Sequence, residues 1–140
     1  MTPAATRPGL GVLLGSGEPE RLYTGLSLLV SAAADGRPAR GLVLFGALDA
    51  LLADPAELER RALEPAATPS VSAGERPRFA RSLGELRRAA DELPGLELWA
   101  CSAAVQATGV DPGLVHERLD GVMSTPRFLR ALDGAALVGG

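Results

Sequence analysis

Five short apolar runs alternate along this chain with longer segments of helical period, and that alternation constrains the fold more than any other feature. The runs are GLGVLLGSG, GLVLFG, LELWA, DGVM and AALVG. The first predicts a strand over residues 10–14, closed by Gly15 and Gly17 in a tight turn. The second predicts a strand over 41–46 and the third over 96–100. DGVM and AALVG supply a short fourth strand and a fifth.

The segments between them read as helices. EPERLYTGLSLLVSAAADG sets Leu22, Leu26, Leu29, Val30 and Ala33 on one face, with Pro19 in the first turn and Gly36 just past the end. ALDALLADPAELERRAL has helical spacing broken at Pro55. Residues 64–78, EPAATPSVSAGERPR, carry three prolines and no period, which predicts a loop of the length used for lids or binding segments. SLGELRRAADEL then opens with Ser82 and Glu85 at capping-box spacing and closes at Pro94–Gly95. CSAAVQATG predicts a short helix stopped by Gly109, and PGLVHERL another helical turn. TPRFLRALDG predicts a helix capped by Thr125, with Pro126 at its first position.

Strands joined through helices must run parallel, because a parallel neighbour needs a crossover connection. The expected fold is therefore α/β, a three-layer α/β/α sandwich around a mainly parallel five-stranded sheet, in one domain of 140 residues. Ligands in such sheets bind beyond the carboxyl ends of the strands. Three features fall there: the turn Gly15–Ser16–Gly17, the corner Cys101–Ser102, and the corner Ser124–Thr125–Pro126.

Composition excludes several classes of function. All 14 basic residues are Arg, Lys, Ile and Asn are absent, and the net charge is −3, so the arginines reflect codon usage rather than polyanion binding. No nucleic-acid partner is expected. No apolar run approaches the ~20 residues that span a bilayer, and MTPAATRPG does not resemble an export signal, so a cytoplasmic location without membrane association is expected. One cysteine and one histidine, Cys101 and His116, form no metal-ligand cluster, and neither a metal nor a cofactor is expected.

Cys101 stands where the third strand meets a helix start. Unpaired N–H groups of a first helical turn favour thiolate over thiol, and the same donors suit a persulfide anion. The competing reading is a buried, inert cysteine packed as a small hydrophobe. Ser102 either donates to the sulfur or caps the helix, with capping the commoner role. GSGEPE lacks the Lys–Ser/Thr ending of a P-loop and the third glycine of a dinucleotide fingerprint, and turn geometry explains its glycines. His116, 15 residues beyond Cys101, reads as a surface histidine. Arg76 and Arg78 read as solvated charges of the loop, with holding an anionic donor as the alternative. Leu98 and Trp99 read as core or subunit-interface packing.

ELWACSAAVQATGV, taken with LLGSGEPERLYTGLSLLVSAAADG before it and LDGVMSTPRFLRALDGAALV after it, resembles the DsrE/DsrF-like family of sulfurtransferase-related proteins. The likeness follows the order of elements over nearly the whole chain. It implies the same α/β/α sandwich and a sulfur-carrier role in which the cysteine after the third strand accepts sulfane sulfur, a role that maps onto Cys101. It also implies homo-oligomers, trimers or hexamers, and a sulfur donor or acceptor protein as partner. Some members keep the fold without sulfur transfer, which leaves a non-catalytic oligomeric subunit with an inert Cys101 as the alternative. Because the chain has no second thiol, release of a carried sulfur requires an external thiol. LELWACS has Leu98 where a peroxiredoxin carries Thr, and CSAAVQA lacks the Arg- and Gly-rich loop of a rhodanese.

Overall fold

The computed structural model describes residues 7–139. Strand β1 (Leu10–Leu14) leads into helix α1 (Pro19–Ala34), β2 (Ala39–Val43) into α2 (Phe45–Leu52) and α3 (Pro55–Ala62), and α4 (Arg76–Glu92) returns the chain to β3 (Leu96–Cys101). Then follow α5 (Ser102–Thr108), α6 (Pro112–Arg118), β4 (Gly121–Met123), α7 (Thr125–Leu132) and β5 (Ala136–Gly139). The five strands form one sheet in the order β4–β3–β2–β1–β5, parallel throughout. The expected α/β/α sandwich with its parallel sheet is the fold observed.

Side-chain alternation sorts the two faces of the sheet. A Cβ on Gly25 of α1 would lie 2.2 Å from Leu14 Cδ2, so Val12 and Leu14 face α1. A Cβ on Gly11 would lie 2.6 Å from Leu132 Cδ2, so the alternate residues face α7. Register carries this across the sheet: Gly11 pairs with Arg40, Arg40 with Glu97, and Leu42 with Trp99. On β3, Leu96, Leu98 and Ala100 therefore face α1, while Glu97, Trp99 and Cys101 face α7. Arg40 confirms the assignment, since its guanidinium donates to Glu97 and to the Ala131 carbonyl of α7.

Helices α1, α3 and α4 pack together over the first face, where Leu22, Leu26, Leu29, Leu58 and Leu83 are buried with Val12, Leu14 and Val43. Arg87 of α4 donates to the carbonyls of Leu51 on α2 and Arg118 on α6, which ties those helices into the same layer. The other face is covered by α7, whose Phe128 and Leu132 are buried, while Leu13, Trp99 and Met123 remain half-buried. None of the described helices is long and apolar enough to cross a membrane.

Several boundaries differ from the sequence expectation. The second strand, expected over 41–46, ends at Val43, because Leu44 takes the N-cap position of α2 and Phe45 opens that helix. Helix α4 begins at Arg76, six residues before Ser82, with Pro77 in its first turn. Ser82 and Glu85 are therefore mid-helix and form no capping box. The loop expected over 64–78 is shortened to 64–75 and contains a 3-10 turn at Pro65–Ala67. Helix α7 is capped by Ser124, whose Oγ accepts from Arg127 N–H at 3.3 Å, so Thr125 is its first residue rather than its cap. Val30 is half-buried rather than part of the closed face of α1.

Candidate functional site

Cys101 is both the last residue of β3 and the N-cap of α5, with φ −66° and ψ 125°. Extended backbone carries its side chain to the α7 side of the sheet. There Sγ lies 3.9 Å from Thr125 Oγ1, at the first position of α7. The start of α7 thus meets the corner where α5 begins, because β3 and β4 are neighbours and Cys101 pairs with Met123. The residue is 3% exposed. Among the described residues no carboxylate, imidazole or guanidinium is hydrogen-bonded to Sγ, whose one side-chain partner is the Thr125 hydroxyl.

Ser102 is the first residue of α5 and does not cap it: that position belongs to Cys101, which makes no side-chain cap bond. Ser124 and Thr125 sit beside Cys101, with the Ser124 side chain committed to capping α7. These four residues form one corner. The turn Gly15–Ser16–Gly17 lies apart from it, since β2 separates β1 from β3 and two strand spacings amount to roughly 10 Å. Ser16 Oγ accepts from Glu18 N–H at 3.1 Å, which bends the chain into α1. Gly17 owes its identity to a close approach rather than to turn geometry: a Cβ there would stand 2.4 Å from the Gly46 carbonyl oxygen.

Other residues singled out in the sequence lie away from the sulfur. His116 is exposed on α6 and stands near Gly121, at the start of β4, whereas Cys101 is level with its end. Arg76 donates to Thr68 Oγ1 at 2.8 Å and to the Val71 carbonyl at 3.2 Å, and Arg78 pairs with Glu75 at 3.6 Å. Leu98 is buried, and the Trp99 indole N–H donates to Glu97 at 3.0 Å. Among the described residues no group of three His, Cys, Asp or Glu side chains is placed to hold a metal.

Sequence reasoning missed Phe45. It follows β2 between the glycine turn and the cysteine corner, is 51% exposed, and holds φ at 26°, a left-handed value that a bulky side chain rarely takes. The apolar run GLVLFG masked it, because a phenylalanine in such a run reads as more strand. No protein-family model matches this chain, and no curated protein matches it.

Proposed function

We propose that this chain is a DsrE-like sulfur carrier, cytoplasmic and homo-oligomeric, that holds sulfane sulfur as a persulfide on Cys101. The observation that supports it is the position of the sulfur, at the carboxyl edge of a parallel sheet where the first turns of α5 and α7 meet. Backbone N–H groups of a first turn stabilise an anion, and a persulfide is more readily anionic than a thiol. Loading exchanges one S–S bond for another: Cys101 sulfur bonds to the terminal sulfur of a donor persulfide, and the donor leaves as a thiol with the proton. Delivery repeats the exchange with an acceptor thiol, which takes the sulfur and returns Cys101 to its thiol form. No net oxidant is needed.

Trimeric or hexameric assembly belongs to the same reading. It is supported by the thin cover of one sheet face, where α7 is the one helix among the described residues, and by the half-buried Leu13, Trp99 and Met123 beneath that side.

The 3% exposure of Cys101 favours a second reading, a non-catalytic oligomeric subunit in which the thiol is core packing. Intact-mass spectrometry after incubation with a small-molecule persulfide separates the two. The carrier gains one sulfur, removed by reductant and absent from Cys101→Ser. Absence of any adduct, under conditions that load a control persulfide carrier, overturns the carrier and leaves the inert subunit.

A further inference from the structure

The segment joining α3 to α4, residues 64–75, is a self-contained body. Its backbone bonds are local: Ala67 N–H donates to the Glu64 carbonyl, Thr68 N–H to Pro65, Val71 N–H to Thr68 and Glu75 N–H to Ser72. Arg76 braces it from the first residue of α4 by donating to Thr68 Oγ1 and to the Val71 carbonyl. The Thr68 hydroxyl donates in turn to the Glu64 carbonyl at 3.1 Å. Thr68 is fully buried, while the rest of the segment is half-buried or exposed.

Among the described residues, one hydrogen bond ties this body to any element other than the two helices it joins. Ser70 N–H donates to Glu20 Oε2, in the first turn of α1, at 2.8 Å. The segment's inner side faces the turn that ends β1: Glu64 and Ala67 border a cleft of about 470 Å³ with Gly17, Glu18, Pro19 and Leu58.

We propose that residues 64–75 are a lid that opens as one body from the β1–α1 turn, latched by Glu20 and braced by the Arg76–Thr68 clasp. Opening breaks a single hydrogen bond to a carboxylate and wets one buried threonine, whereas opening a strand of the sheet disrupts a full ladder. The lid therefore moves at far lower cost than the core, and it controls access to the cleft beside Gly17. This inference is independent of any chemistry at Cys101.

Hydrogen–deuterium exchange on the full chain tests it with two variants placed on opposite sides of the segment. In the wild type, amides of 64–75 and of the turn 16–18 exchange together and faster than those of β1–β3. Glu20→Ala raises both rates about tenfold, as loss of a charge-assisted hydrogen bond predicts, and leaves the strands unchanged. Arg76→Met, remote in sequence from the turn, raises the same two sets. Faster exchange in 64–75 with no change at 16–18 in Arg76→Met overturns the lid, because the segment then moves without uncovering the turn. Wild-type rates in both variants, or acceleration that extends to the strands, overturn it as well.

Discussion

Arg87 shows how a single side chain can organise a layer. It is 1% exposed, and its guanidinium reaches Asp91 at 2.7 Å, the Leu51 carbonyl at 3.1 Å and the Arg118 carbonyl at 2.9 Å. Those carbonyls belong to the last turns of α2 and α6, where helices leave acceptors unpaired and where a cation is favoured. Arg87→Met orphans both acceptors, and we expect a loss of about 3 kcal/mol in urea denaturation. Arg87→Lys should recover part of that loss, since an ammonium lacks the planar fork that spans both carbonyls. An Arg87→Met protein as stable as wild type contradicts the clamp. In SLGELRRAADEL this arginine looks like its neighbour Arg88, which is half exposed and pairs with Glu59. No local pattern distinguishes them, because the carbonyls that Arg87 caps come from 36 residues before it and 31 after it.

At the scale of elements, the short helices are held by their ends. In α3 the Asp54 carboxylate accepts from Ala56 N–H, and Glu57 in the first turn accepts from Arg60 and Arg61. Hydrogen bonds from these two guanidinium groups, Arg60 first, lower the Glu57 carboxyl from its ordinary 4.5 to about 2. A carboxyl depressed in the folded state binds protons first in the unfolded state, so its contribution to stability is complete above about pH 4.5 and is lost as pH falls through about 2. Denaturation titrations should show wild type more stable than Glu57→Gln at pH 6, with the gap closing towards pH 2 and shrinking with added salt because its partner Arg60 is exposed. A gap constant across that range contradicts the assignment. Pro55 and Pro126 are legible in sequence as a break and a first-turn proline, whereas the cap of α7 falls on Ser124, one residue before the Thr125 that the pattern suggests. The start of α4 is less so: its cap residue, Glu75, makes no side-chain cap bond, and the first turn carries RPR, which pattern reading assigns to the loop.

For the whole molecule, topology decides which faces are thick. With β1 joined to β2, β2 to β3 and β3 to β4 in one direction, six of the α-helices among the described residues gather over one face, while α7, which leads back to β5 at the far edge, lies over the other. The sheet ends in β5, where Leu137 is 44% and Val138 38% exposed. On the proposed reading, light scattering with size-exclusion chromatography gives three or six times the subunit mass, and Trp99→Glu lowers that mass by placing a charge on the thin face. A monodisperse monomer at micromolar concentration counts against assembly.

Sequence alone determined the class of fold, because apolar runs of strand length separated by helical periods permit a parallel sheet and little else. It also placed Cys101, Ser102, Ser124 and Thr125 at the sheet's carboxyl edge, since cap, proline and glycine signals are local. Tertiary structure decided the rest. It set the glycine turn apart from the cysteine corner, gave Gly17 a backbone neighbour in Gly46, and stopped β2 short of Phe45. It turned the Cys101 sulfur towards α7 and closed it from solvent to 3%. Each of these depends on which strands become neighbours and which helix end meets another, and contacts between distant segments leave no periodic trace along the chain.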